Sequence, residues 1–144
     1  MNIDANAPIE PYIGIGGIKL YSTMDELNNV LSLPETKKMK IAKYWVRYDI
    51  GNLVTLFFHT KNKKLFKICT QSDYKGKLFN LIGVGTNIQT MIQCDSELKY
   101  DEFEEIWESP KGYFIETDVD TDCATWISVF IKELNDDNFD NACW

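Results

Sequence analysis

Residues 53–58, Leu-Val-Thr-Leu-Phe-Phe, are the strongest apolar run in the chain and are apolar on both faces of an extended strand. Such a segment is stable only inside a sheet that is covered on both sides, so it is expected as a central strand. Its flanks fix the connections. Asp49-Ile50-Gly51-Asn52 precedes it and Lys61-Asn62-Lys63 follows, both rich in residues that favour tight turns. Before the first turn Tyr44, Val46 and Tyr48 alternate with Lys43, Trp45 and Arg47, the period of a half-buried strand. Residues 43–70 therefore read as three antiparallel strands, with Leu53–Thr60 in the middle and Lys64–Thr70 last.

A helix is expected just upstream. Ser22-x-x-Asp25 and Thr23-x-x-Glu26 are overlapping capping boxes, Met24, Leu27 and Leu31 make one apolar stripe, and Pro34 ends the helix near residue 32. The order then recurs. Lys77–Gly85 reads as a strand and Thr86-x-x-Gln89 as a capping box opening a short helix with Ile88, Met91 and Ile92 on one side. Tyr100–Glu108, Tyr113–Asp118 and Ala124–Lys132 read as three more strands, the first two joined by the turn Ser109-Pro110-Lys111-Gly112. Tyr100, Phe103 and Trp107 also fit a helical stripe, which leaves a helix as the alternative for that segment. The fold class expected is α+β, in which two pseudo-repeated strand-helix-three-strand units form antiparallel sheets with two short helices. All 144 residues fit one domain, with residues 135–144 as a loose acidic tail in which Phe139 and Trp144 are the only docking groups.

Charge divides the chain after Cys94. Residues 1–94 hold twelve lysines and arginines against seven acids, a net of +5, whereas residues 95–144 hold three lysines against fifteen acids, a net of −12. A concentrated negative field speeds encounter with basic partners and repels nucleic acid. The first eleven residues lack the basic and apolar regions of a secretory signal, and no apolar run is long enough to span a bilayer, so a cytoplasmic protein is expected, with no membrane contact. The four cysteines form no C-x-x-C pair and are expected as free thiols.

Motifs for catalysis are weak. His59 is the only histidine, which rules out a two-histidine metal site within one chain. Gly14-Ile15-Gly16-Gly17-Ile18-Lys19 lacks the spacing of a phosphate loop and reads as a close backbone approach. Asp118-x-Asp120-x-Asp122 opens like a calcium loop, yet position 6 is Cys123 and position 12 is Val129. No enzyme, cofactor or metal is expected. Lys43, Trp45 and Arg47 place two cations around an indole, the pattern of a single-strand nucleic-acid binder, and supply the alternative function. Against it stands a sequence pI of about 4.7. The favoured surface is acidic and aromatic: Tyr100, Asp101, Glu102, Glu104, Glu105, Trp107, Glu108 and Tyr113, together with Asp118, Asp120 and Asp122. Trp107 and Tyr100 would anchor a protein partner there and the acids would steer it.

The segment Pro11-Tyr12-Ile13-Gly14-Ile15-Gly16-Gly17-Ile18-Lys19-Leu20, leading into Ser22-Thr23-Met24-Asp25-Glu26-Leu27 and followed by hairpins and Ser109-Pro110-Lys111-Gly112-Tyr113, resembles small bacterial immunity proteins. The nearest parallel is with those encoded beside contact-dependent growth-inhibition toxins. The resemblance implies a cytoplasmic inhibitor that binds the C-terminal domain of a cognate toxin, often a basic nuclease, by protein–protein contact. It transfers no site residue position by position.

Overall fold

In the computed structural model, which describes residues 3–144, the apolar run lies in a strand Val54–His59 whose every residue is buried. It belongs to a series of ten strands and two short α-helices: β1 (Gly14–Ile15), β2 (Ile18–Lys19), α1 (Asn28–Leu31), β3 (Thr36–Lys40), β4 (Trp45–Ile50), β5 (Val54–His59), β6 (Leu65–Thr70), α2 (Ile88–Cys94), β7 (Lys99–Asp101), β8 (Ile106–Ser109), β9 (Tyr113–Thr117) and β10 (Ala124–Phe130). The fold is α+β. β1 and β2 make a small hairpin, and the other eight strands form one antiparallel sheet in the order β3-β4-β5-β6-β10-β9-β8-β7.

The recurring order holds from each helix onward, with one more strand than expected in each half, but the strand expected before the second helix is absent. Each α-helix is followed by a four-stranded meander, and the two meanders meet at β6 and β10, where Cys69 faces Ser128 and Ile68 faces Val129. β5 is therefore interior, third from one edge, while the middle of the sheet is the β6–β10 seam. The added strand of the first half is β3, a lysine-rich edge. In the second half Tyr100–Glu108 is neither one strand nor a helix but the hairpin β7–β8, turned at Glu102–Glu105 with Glu105 at φ 58°. Lys77–Gly85 is not a strand: it is a loop closed by a single bridge between Leu78 and Ile82, with Phe79 and Asn80 at positive φ.

The helix expected over residues 23–32 is shorter: residues 24–27 form turns, and α1 begins only at Asn28, with Leu27 at its N-cap and no side-chain cap, so the capping box sits one turn upstream of the helix. Glu26 N donates to Thr23 Oγ1 and Thr23 N donates to Glu26 Oε1, both at 3.1 Å, so the second of the two capping boxes closes reciprocally. At α2 the cap is Asn87, whose Oδ1 accepts from Gln89 N at 2.9 Å; Thr86 Oγ1 instead accepts from Gly83 N. Among the described residues no helix is long and apolar enough to cross a membrane.

Period-two alternation assigns the faces of the sheet. One face carries Val46, Tyr48, Ile50, Leu56, Phe58, Ile68, Ile115, Ile127 and Val129, which join Leu27 and Val30 of the first helical region and Ile88 and Met91 of α2 in one apolar core. The opposite face is covered near Trp45 and Phe66 by Phe139 of the C-terminal segment and elsewhere by its own side chains. Register sets two rows across it: Lys99, Glu108, Phe114, Ser128, Cys69, Thr55, Asp49 and Lys37 in one, and Phe130, Lys67, Phe57, Arg47 and Met39 in the next. Lys67 Nζ lies 4.1 Å from the Phe57 ring centre and Arg47 Cζ lies 5.3 Å from that of Trp126, so the two cations cover buried aromatic area.

The glycine-rich segment is the β1–β2 hairpin. Gly16 and Gly17 turn it at φ 69° and 81°, and Gly14 packs directly on the carbonyl of Ile18. A Cβ at position 14 would collide with that main-chain oxygen, which has no room to yield. Gly14→Ala should therefore lower stability by about 2 kcal/mol, read as a reduced urea midpoint with an unchanged slope.

The acidic residues 135–144 fold back on the sheet. Phe139 is buried against Phe66 (ring centres 5.1 Å apart) and stacks on Trp144 at 5.2 Å. Asn62 Nδ2 and Lys64 Nζ both donate to the main-chain oxygen of Trp144, at 3.2 and 3.3 Å.

Candidate protein-binding site

The charge division of the sequence becomes a division across the sheet. β3 to β6 present Lys37, Lys38, Lys40, Arg47 and Lys67, and β7 to β10 with their turns present the acids. β8 begins and β9 ends at the same edge of the fold as neighbouring strands, so the turns 102–105 and 118–123 stand side by side. Two aspartates build these turns. Asp101 Oδ1 accepts from Phe103 N and Glu104 N at 2.9 and 3.1 Å, and Asp118 Oδ1 accepts from Asp120 N and Thr121 N at 2.9 and 3.0 Å. The N–H donors hold the Asp118 carboxyl below its usual range. Its oxygen is committed to the loop, which accounts for the calcium-like spacing as turn chemistry.

What the turns display is unusual for apolar residues. Phe103 and Val119 are each 92% exposed, one at each tip. Glu102, Glu104, Glu105, Asp120 and Asp122 surround them and are all exposed. A ring and a branched aliphatic side chain held in water by ordered turns, inside a carboxylate rim, have the composition of a protein contact.

The other expected members separate. Tyr100 and Trp107 are a cross-strand pair, with ring centres 5.1 Å apart, on the same face as Ile115 and hence on the core side. Asp101 and Glu108 project from the opposite face. Trp107 is half-buried against the core, and Tyr100 is partly exposed. Tyr113 does not belong to the surface: it is fully buried and its hydroxyl donates to Asp95 Oδ2 at 2.7 Å.

Asp95 itself carries no motif that marks it out in the sequence. It sits just after α2, buried, and accepts from Ser109 Oγ (2.6 Å), Tyr113 Oη (2.7 Å), Lys111 Nζ (2.8 Å) and, through Oδ1, in an Asx turn from Glu97 N (3.0 Å). Burial alone would raise its carboxyl, but the bonds from Lys111, Ser109 and Tyr113 outweigh it and hold the group well below the carboxylate range. Burial, and after it the bond to Asp95, pushes the Tyr113 phenol well above its ordinary value. This network ties the end of α2 to the β8–β9 turn.

The open sheet face beside the acidic hairpin is hollowed into a groove of about 880 Å³. Its lining includes Trp45, Phe114, Phe130 and Lys67, with Glu104 and Glu108 among its acidic groups. Glu108 is raised above its ordinary value by burial and by the neighbouring charges of Asp101 and Glu104. Glu116, half-buried on the same face, is raised by burial and partly drawn back by Lys67.

No protein-family model matches the chain, and no curated protein matches it. Among solved structures the fold is similar to that of a cysteine-rich secretory protein from Staphylococcus aureus, at a TM-score of 0.56 and 9% identity, over 93% of this chain and 52% of that one. The chain thus spans about half the length of that protein. At this identity the likeness is one of fold.

Residues singled out for other chemistry are occupied structurally. Trp45 packs on Phe66 and Phe139, with ring centres 4.9 and 6.1 Å away, and Arg47 Nε is paired with Asp49 Oδ1 at 2.9 Å. Lys43 lies over Tyr44, its Nζ 5.1 Å from the ring centre. His59 is buried; its Nδ1 accepts from Lys61 N and its Nε2 donates to Asp140 Oδ1, each at 3.2 Å. The four cysteines are free, and burial pushes the Cys69 thiol up to about 11, where it accepts from Ser128 Oγ as a packing group.

Phe103 and Val119 are the site residues that sequence reasoning missed. An apolar residue between glutamates reads as the buried side of a strand. Only the recognition that Asp101 and Asp118 each start an Asx turn would have placed both residues at loop tips.

Proposed function

We propose that the chain is an immunity protein: a non-catalytic, cytoplasmic inhibitor that binds the basic C-terminal domain of a cognate toxin, a nuclease by preference, through its acidic end. The observation that carries this reading is the pair of adjacent acidic turns presenting Phe103 and Val119 to solvent. A nuclease needs positive charge where phosphate binds. A carboxylate rim raises the rate at which such a surface is met, and exposed apolar groups within the rim slow its departure. Both properties are required of an antidote. The order of elements adds the resemblance to immunity proteins, and the compartment follows from that role.

The test is association with the protein encoded by the neighbouring reading frame. Changing Glu102, Glu104, Glu105 and Glu108 together to lysine should slow association at low salt by about tenfold or more. Phe103→Ala should leave the on-rate unchanged and speed dissociation roughly thirtyfold, equivalent to the loss of about 2 kcal/mol at a hot spot. Stopped-flow and surface-binding kinetics separate the two. An on-rate indifferent to the charge reversal sinks the steering claim, and an off-rate indifferent to Phe103 sinks the anchor.

A further inference from the structure

The groove on the open sheet face is continuous with the acidic turns, because Glu104 lies at the tip of the β7–β8 hairpin and also lines the groove, followed by Ile106 on the strand. Its charges are unequally used. Lys67 Nζ lies within 4.1, 5.8 and 5.6 Å of the Phe57, Trp45 and Phe114 ring centres, so its charge is spent on aromatic faces, and it also draws on Glu116. Glu104 and Glu108, by contrast, have no ion pair among the described residues, and Asp101 adds a third carboxylate beside them. Lys99 stands opposite Glu108 across the β7–β8 pair without forming an ion pair with it. Between these acids and Lys67 the floor is apolar, formed by Phe114 stacked on Phe130 with ring centres 5.9 Å apart. Lys99 also lines the groove, so its two lysines, Lys67 and Lys99, face the lining carboxylates Glu97, Glu104 and Glu108 with Asp101 beside them. This acidic excess favours one further cation at the hairpin end of the aromatic trough.

We infer that this groove receives an extended apolar segment of the protein partner that carries one arginine or lysine, the apolar side chains lying on Phe114 and Phe130 and the cationic head between Glu104 and Glu108. Aromatic faces suit such a side chain, since its methylene stem packs on a ring while its head reaches the carboxylates. Arginine is the better fit of the two, because its planar fork can bond two carboxylates at once. The inference rests on the partner-binding reading above and gives that partner a second, deeper contact beyond the loop tips.

The groove is tested without the toxin. The full chain, labelled with 15N, is titrated with acetyl-Leu-Arg-Leu-amide, acetyl-Leu-Gln-Leu-amide and acetyl-Leu-Glu-Leu-amide, and amide shifts are followed at Ile106, Glu108, Phe114 and Phe130. The expected result is perturbation of those amides in the order arginine, glutamine, glutamate, weakened by added salt. The arginine preference disappears in Glu104→Gln/Glu108→Gln, whose unperturbed spectrum elsewhere shows an intact fold. Equal response to all three peptides, no response, or concentration-dependent shifts without peptide that betray a second copy in the groove would each overturn the inference. Capture of the toxin by the loop tips with silent groove amides removes the groove alone. An arginine response without toxin capture removes the immunity reading alone.

Discussion

Asp95→Ala lowers the stability of the fold by about 3 kcal/mol, the order of loss found when one member of a buried charge network is removed. The substitution leaves the Ser109 and Tyr113 hydroxyls, the Lys111 ammonium and the Glu97 N–H without their common acceptor. For a domain of this size the melting temperature falls by about 10 °C. Acid supplies the complementary measurement. The folded protein holds the Asp95 carboxyl below its unfolded value, so the network's contribution is complete above about pH 4 and is lost as pH falls through the folded value. The gap between wild type and Asp95→Ala, measured by urea denaturation, is therefore constant from pH 7 to pH 5 and narrows in stronger acid. A gap that widened in acid would mean that the carboxyl is protonated in the fold at neutral pH. Tyr113→Phe, which removes one donor and keeps the ring, costs only about 1 kcal/mol.

Phe139→Ala costs about 3 kcal/mol, the lower end for emptying a buried aromatic site. The ring lies within 5.1 to 6.1 Å, centre to centre, of Phe66, Trp144, His59 and Trp45. Removing it undercuts Trp144 and opens the ring of Trp45 to water. Tryptophan emission should therefore shift to the red in the native state, together with the loss of stability. A lower melting point with unchanged emission would place Phe139 outside the contact that holds residues 139–144 on the sheet. Asp140→Ala serves as a comparison, because Asp140 is exposed and its truncation removes one bond to His59 while leaving the aromatic cluster.

The fold was most legible where burial on both faces left no alternative. Leu53–Phe58 has no polar side to offer solvent, and it became the fully buried β5. Thr36–Lys40 went unread for the opposite reason: an edge strand paired on one side, with four of its five residues exposed, has no apolar period to detect, and its lysines protect the open edge. The hairpin β7–β8 was hidden because its turn contains no glycine, asparagine or proline. Asp101 caps the turn and Glu105 takes the positive φ, so aromatics at helical spacing looked like one element. Lys77–Gly85 has the apolar content of a strand but spends it on one tight loop.

The site followed the same logic. Net charge is additive along a sequence, so the acidic half could be counted and its two densest segments, 100–108 and 118–122, located, though not the turn inside the first of them. Which aromatics face water depends on strand register, which the sequence left open. Register sends Tyr100, Trp107 and Tyr113 toward the core and leaves Phe103 at a tip. Asp95 escaped notice because a single acid after a helix carries no signature until its four donors arrive from a turn 14 to 18 residues away and from its own loop.

The seam between β6 and β10 has a consequence for how the chain reaches this structure. Within each meander every strand pairs with its neighbour in sequence, so closing those hairpins orders only short loops and proceeds early. The seam is different: it joins Lys67–Cys69 to Ser128–Phe130 and cannot form until about sixty residues have been looped out. The β6–β10 pairing is thus expected to be the last step in assembling the sheet, checked by stopped-flow refolding at low and high salt. Because the two halves of the chain carry net charges of opposite sign, they attract one another before any seam hydrogen bond exists, and salt that screens this attraction slows the last step of folding more than it weakens the finished sheet.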